Sequence, residues 1–405
     1  MVYQPSIMNQ NIYIAGIGII SAIGDNVPQT LERLKKSDTG VSDMTVLPSR
    51  FASSLPVAEV KYTNAELAAK SGLENWQTRT AQLSMIAAEE AKNNAKIDYS
   101  KWRCGFISAN TVGGMDRTED FMKEFLLDPT KGDLQDVINH DSGDATEIVA
   151  EKLGFTDYIT TISTACSSSA NAMMFGARLI NNDIVDIIIA GGTDSLSRFT
   201  LNGFKSLMIL DENPCMPFDE NRKGLNLGEG AGYVVMVSQR VKDAEGMAPL
   251  ARLSGYANAN DAYHQTASSP EGNGNYQAMK GALDMAGLEP TDVDYINLHG
   301  TGTPNNDVSE GTAIMRLFGD EPPMMSSTKA YTGHTLGASA GIEAVISILA
   351  LQHNLVFPNL RHQTQMKELP FAPQKMLVED KPIKHVLSNS FGFGGNCSSV
   401  IFSKP

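Results

Sequence analysis

Two periods of apolar and polar positions take turns along this chain. Asn11 to Gly18 is an apolar run entering a glycine turn and predicts a strand, and Asn26 to Lys36 follows at helical spacing. Thr78 to Asn94, rich in Ala and Glu, predicts an amphipathic helix, Cys104 to Ala109 a short strand, and Ala145 to Leu153 a helix. The β-branched run Ile159 to Thr164 predicts a buried strand, and Ser167 to Asn182 returns to helical spacing. Ile184 to Ala190 is the kind of run that is buried on both faces of a parallel sheet. After residue 250 the order restarts. Ala251 to Ala259 predicts a strand, Tyr276 to Ala286 a helix closed by Gly287, Val293 to Leu298 a strand, and Ala338 to Leu351 an apolar helix. Lys384 to Ser390 and Ser398 to Phe402 predict the last strands. The alternation predicts an α/β fold in two similar halves, residues 1–250 and 251–405, each with its own mostly parallel sheet.

Composition narrows the function classes. With 42% apolar and 19% charged residues the chain is globular throughout, and a net charge of −14 without any basic stripe argues against nucleic acid as a partner. An acidic partner would need a local basic patch. Cys104, Cys166, Cys215 and Cys397 lie far apart with no CxxC pair, which suggests neither a disulfide framework nor a zinc site and points to a reducing, cytoplasmic compartment. The stretch Met1 to Pro5 lacks the pattern of a signal peptide, Met8 offers a second start, and no apolar run is expected to span a membrane.

Cys166 carries the first candidate chemistry. It stands where the strand ending at Thr164 gives way to the small-residue helix that begins with Ser167, so its thiol faces the unpaired N–H groups and positive dipole end of a helix. Those groups are expected to favour thiolate over thiol; the alternative for a lone cysteine is a buried structural residue. Asn297 to Asp307 empties a buried strand into a loop of His299, Gly300, Thr301, Gly302 and Thr303, where the histidine is either catalytic or a hydrogen-bonded structural group. Ser327 to Glu343 sets Lys329 five residues before His334 and Glu343 nine residues after it, in a stretch almost free of other charges. Ser390 to Asn396 is a glycine-rich turn without the Lys and Ser/Thr of a phosphate loop, better suited to supply backbone N–H donors and aromatic walls. Gly16-Ile17-Gly18 is no dinucleotide fingerprint, because Ser21 stands in place of its third glycine.

Taken together, Thr164 to Ser169, Pro217 to Gly232, His299 to Asp307, Lys329 to His334 and Asn389 to Asn396 resemble, in order and spacing, the β-ketoacyl-(acyl carrier protein) synthases. The resemblance implies the thiolase fold, a five-layered αβαβα sandwich, and a decarboxylative Claisen condensation by a Cys-His-His triad. It implies that Cys166 holds the acyl group, with its own N–H and that of Phe393 as oxyanion donors. His299 and His334 would bind the malonyl thioester oxygen, Lys329 would be the active-site lysine, and Glu343 and Asp307 would stand behind them. Thr301 and Thr303 match positions contacting the phosphopantetheine arm, Phe391 and Gly394 would line the substrate path, and Phe393 would gate it. No catalytic metal or nucleotide is implied, although a structural monovalent cation is expected near Asn297, Glu343 and Asn396. The implied partners are acyl carrier protein, malonyl and acyl thioesters, and either a second copy or a chain-length-factor-like subunit.

The resemblance mixes two patterns. Housekeeping synthases carry a histidine five residues after the cysteine, where this chain has Asn171. Cys-Ser-Ser-Ser resembles polyketide ketosynthases, while Lys-Ala-Tyr-Thr-Gly-His resembles the fatty-acid type. Fatty-acid elongation and a specialised polyketide or aryl polyene route therefore both stay open. A degradative thiolase would need a second cysteine, for which Cys397 is the candidate, and Lys205 and Arg79 are the candidate carrier-docking cations.

Overall fold

The computed structural model describes residues 11–405; the readings of Met1 to Pro5 and of Met8 lie outside the described residues. Ten strands form one sheet. In chain order they are β1 (Ile12–Ser21), β2 (Cys104–Ala109), β3 (Tyr158–Ile162), β4 (Ile187–Asp194), β5 (Gly230–Val237), β6 (Ala251–Asn260), β7 (Tyr295–Asn297), β8 (Met324–Ser326), β9 (His385–Gly392) and β10 (Asn396–Ser403). Across the sheet they run β8-β7-β9-β10-β6-β1-β5-β4-β2-β3. The two sides of the β6–β1 junction repeat one another. From the centre outward, first, fifth, fourth, second and third strand of each half follow in the same order. The first two pairings are antiparallel and the last two parallel in both. Among the described residues, only Ile12–Ile14 against Ala251–Leu253 stitches the halves edge to edge.

Helices cover the sheet in matching positions. α1 (Arg79–Ala95) and α2 (Ser142–Leu153) lie on one outer face, α4 (Asn273–Ala286) and α5 (Pro304–Phe318) on the other. α3 (Ser168–Asn181) and α6 (Ser339–His353) form the middle layer, touching each other and both half-sheets. The resulting layers are those of the thiolase fold. Central burial explains the composition of α6: the stretch Leu336–His353 is long and apolar enough to cross a membrane, contrary to the sequence expectation, yet it is enclosed between the half-sheets. The glycines of β1 have a packing role. A Cβ on Gly18 would lie 2.1 Å from the Ala87 carbonyl oxygen of α1, and one on Gly255 of β6 would lie 2.2 Å from the Ala282 carbonyl oxygen of α4. Each half thus presses a helix of its outer layer onto its first strand through glycine.

Three expectations are corrected. In place of two mostly parallel sheets there is one continuous sheet with five antiparallel pairings among nine. Ile184, of the run expected to be buried on both faces, is exposed ahead of β4. A third run lies at the sheet edge. The run expected to be a buried strand is the edge strand β3, half-buried, with Ile159 38% exposed. Apolar side chains of the helix Met115–Leu127 and of the following turn, including Leu126, Leu127 and Leu134, are exposed as well.

Candidate active site

The nucleophile and its candidate donors come from different halves and meet beneath the middle layer. Cys166 follows a sharp turn in which Ala165 takes a φ of +53°, and α3 begins two residues later at Ser168. Thr164 N–H donates to Ser168 Oγ at 2.7 Å, and Asn171 Nδ2 donates to Thr164 Oγ1 at 2.9 Å, so the first turn of the helix holds the strained corner. The glycine-rich turn between β9 and β10 closes over it. A Cβ on Gly392 would come within 3.0 Å of the Cys166 nitrogen, a tighter contact than side chains ordinarily make, so glycine eases that backbone approach. Backbone N–H groups of Phe393 and of Cys166 itself point at the sulfur. That pair is the type of donor an oxyanion hole uses.

His334 Nε2 lies 3.1 Å from Cys166 Sγ. The segment Asn226–Gly228 fixes its backbone: His334 N–H donates to the Asn226 carbonyl at 2.8 Å, and Gly228 N–H donates to the His334 carbonyl at 3.0 Å. Leu336 N–H donates to His334 Nδ1 at 3.3 Å, which leaves Nδ1 an acceptor and places the ring proton on Nε2. Lys329 Nζ donates to His299 Nδ1 at 3.3 Å and places that ring's proton on Nε2 as well. Burial and the Lys329 charge hold both imidazoles well below their usual range, so both are neutral donors. Cys166 Sγ and a nitrogen of each histidine lie within 4.8 Å of one another, a spacing that would suit a metal ion. The tautomers oppose that use, because they present N–H rather than a lone pair.

The thiol itself corrects the sequence expectation. Burial pushes Cys166 up to about 11, and the Lys329 charge and the two N–H groups pull it only partly back. Desolvation outweighs these groups, so the resting sulfur is a thiol among donors suited to negative charge.

Behind the histidines, Lys329 is fully buried and donates to Glu343 Oε1, whose carboxyl burial pushes up to about 7. Asp307 accepts from Phe218 N–H at 2.7 Å and Gly302 N–H at 3.2 Å and faces Arg222 at 3.7 Å, clamping the His299 loop to the Pro217–Gly232 segment. Sequence reasoning missed Glu310. Its carboxylate accepts from His299 N–H at 2.9 Å and Gly300 N–H at 2.8 Å and carries the loop from below. The expected cation region divides. Asn297 and Glu343 have buried side-chain oxygens without a partner, which suits a small cation, whereas Asn396 Nδ2 donates to the Phe393 carbonyl at the hairpin end. Asn297 pairs in register with Ser388, in the middle of β9 and four residues before Gly392, the partner of Asn396.

Two cavities meet at the sulfur. One, of about 230 Å³, is lined by His299, His334, Thr301, Thr303, Phe391, Asn305 and Thr266. Thr301 Oγ1 and Thr303 Oγ1 are 2.9 Å apart on its wall. The other, apolar and about 380 Å³, is lined by Thr111, Val112, Phe199, Gly203, Leu207 and Leu336. Cys166, Phe204 and Phe393 line both, and the two phenylalanine rings stack at 5.9 Å as the wall between them. Phe204 gave no signal in the sequence. Gly394, at φ +77°, donates its N–H to Gln265 and anchors the turn from outside the cavities.

Two candidates fall away. Arg79 is buried in an ion pair with Glu229 at 2.6 Å, so it offers no docking charge, whereas Lys205 remains partly exposed. Cys397 donates to Asn275 Oδ1 at 3.1 Å inside the outer core, so it supplies no second thiol to the site.

Comparison with known proteins finds relatives along the whole chain. Residues 9–242 match the family model described as beta-ketoacyl synthase, N-terminal domain, and residues 250–363 its C-terminal domain. The chain is 34% identical to a 3-oxoacyl-[acyl-carrier-protein] synthase 2 of Staphylococcus aureus, over 98% of this chain and 99% of the relative. Among solved structures it resembles the ishigamide ketosynthase/chain length factor, with a TM-score of 0.92, 27% identity, and 98% and 99% of the two chains covered. It also resembles a ketosynthase (ApeO) in complex with its chain length factor (ApeC) from Xenorhabdus doucetiae, with a TM-score of 0.84, 30% identity and full coverage of both chains.

Proposed function

Starting from a chain that belongs to the β-ketoacyl synthase family, and is therefore a condensing acyltransferase of fatty-acid-synthase type, we propose that it extends an acyl chain by two carbons on acyl carrier protein. The carrying observation is the pair of neutral histidines, each with its proton turned to the nucleophile's side by a donor on the opposite nitrogen. Cys166 attacks the carrier-bound acyl thioester and releases the carrier thiol, while the N–H groups of Cys166 and Phe393 take the developing oxyanion. The apolar cavity then receives the acyl chain. A malonyl thioester enters along Thr301 and Thr303, and its carboxylate leaves as carbon dioxide. The electron pair moves onto the enolate, whose oxygen His299 and His334 stabilise as charge develops. The carbanion attacks the acyl-cysteine, the carbon–sulfur bond breaks, and a proton from solvent restores the thiol. No metal or nucleotide is consumed in this sequence, and four buried free cysteines suit a reducing cytoplasmic compartment.

A specialised polyketide or aryl polyene route is the second reading, favoured by Asn171 and by the likeness to ketosynthases solved with chain length factors. For either route we propose that a second subunit, a copy or a chain-length-factor-like chain, covers exposed apolar side chains such as Ile159 on the edge strand β3 and Leu126 and Leu134. The test supplies malonyl carrier thioester with saturated, unsaturated and aryl-primed carrier thioesters and identifies products by mass. A β-ketoacyl product two carbons longer than its primer is expected, and the preferred primer separates the routes. Cleavage of β-ketoacyl thioesters without condensation would overturn the proposal.

A further inference from the structure

The buried carboxylate of Asp194, at the end of β4, takes no part in the steps above, yet four donors converge on it. Thr111 N–H at 2.9 Å and Val112 N–H at 3.1 Å donate to Oδ1. Thr111 Oγ1 at 2.8 Å and Gly337 N–H at 2.7 Å donate to Oδ2. The first three belong to the wall of the apolar cavity. The fourth belongs to the turn that carries His334. Gly337 is held from its other side too, because Ser169 Oγ, one helical turn after Cys166, donates to its carbonyl. Both groups gripping the Gly337 peptide thus come from the half that bears the nucleophile. A Cβ on Gly337 would sit 2.8 Å from Asp194 Oδ2, so the fit excludes a side chain there.

The neighbour of that peptide matters most. Leu336 takes a φ of +51°, its side chain lines the apolar cavity, and its N–H fixes the His334 tautomer. Whatever fills the cavity presses on Thr111, Val112 and Leu336, the three residues whose backbones Asp194 holds directly or through Gly337.

We infer that Asp194 is a positioning residue that couples occupancy of the acyl cavity to the placement of His334 through the Gly337 peptide. The inference rests on the condensing reading. It says how a loaded site is distinguished from an empty one: an acyl chain in the cavity sets the wall, the carboxylate carries that setting to Gly337, and the imidazole N–H is aimed accordingly.

The experiment compares full-length wild type, Asp194→Asn and Ser169→Ala. Intact mass follows acylation of Cys166 by carrier thioesters with short and long acyl chains. Carbon dioxide release from malonyl carrier thioester is then measured on each acyl-enzyme. The wild type should release carbon dioxide at rates that depend on acyl length. In Asp194→Asn that dependence should collapse and release should slow by about tenfold, with acylation changed far less. Ser169→Ala, which leaves the carboxylate in place and adds no buried charge, should show the same pattern at smaller size and serves if Asp194→Asn does not fold. Retained length dependence in both variants, no length dependence in the wild type, or equal slowing of acylation and release would overturn the coupling. Failure of the wild type to acylate would instead overturn the condensing reading.

Discussion

The turn before α3 and the turn before α6 are counterparts in a repeated fold, and they do opposite jobs. Each holds a non-glycine residue at positive φ, Ala165 at +53° and Leu336 at +51°, three residues ahead of a buried helix that starts on serine. In the first half the residue after that strained position is the nucleophile Cys166. In the second it is Gly337, which presents only its peptide and lets the first half grip it. A duplicated scaffold therefore yields an asymmetric site: one corner offers a thiol, and the other turns an imidazole toward it. The difference teaches that the chemistry lives where the halves touch, and that acylation and decarboxylation should separate when one side is damaged.

The strongest way to break that separation is Lys329→Ala, which leaves Glu343 buried without its partner. Stability should fall by about 3–5 kcal/mol, read from urea unfolding, and decarboxylation should fail with it. His334→Ala damages the second half more cleanly. Decarboxylation of malonyl carrier thioester should drop by about 10²–10³-fold, while acylation of Cys166 survives. Equal loss of both would show that the histidine serves the thiol rather than the enolate.

Glu310→Gln sharpens the comparison through the His299 loop. A loss of about 1–3 kcal/mol is expected where the carboxylate accepts the two loop N–H groups. Burial raises Glu310 from 4.5 to about 7 in the folded chain. The folded state then binds that proton more tightly than the unfolded state, so its contribution lowers stability as pH rises from about 4.5 to about 7. Unfolding midpoints across that window should decline for the wild type and decline less for Glu310→Gln. The smallest effect is expected at Asn171, whose amide joins Thr164 to Asn258 of β6 across the two halves. Asn171→Ala should cost about 1 kcal/mol and change the rate of Cys166 alkylation by a few-fold.

Much of this was legible in the chain because it is local. Strand and helix periods, the glycine turns and the small residues after Cys166 record their own conformations. What was not legible depends on the other half. A β-branched run reads alike whether it ends as a central or an edge strand, so Ile159 was expected inside. Arg79 at a helix start reads as a solvated charge, and only Glu229, 150 residues away, makes it an internal ion pair. Glu310 and Asp194 look like ordinary helix and strand-end acids until the fold aims loop N–H groups at them. Even the thiol was misjudged by local reasoning, since the helix end is visible in sequence and the depth of burial is not.

The central claim is that Cys166 alone carries the acyl group while the second half performs the decarboxylation. Intact-mass measurement after incubation with an acyl carrier thioester tests it most directly, on wild type, His334→Ala and Cys166→Ala. One acyl group on the wild type and on His334→Ala, and none on Cys166→Ala, is the predicted result; labelling of Cys166→Ala equal to that of the wild type would contradict it.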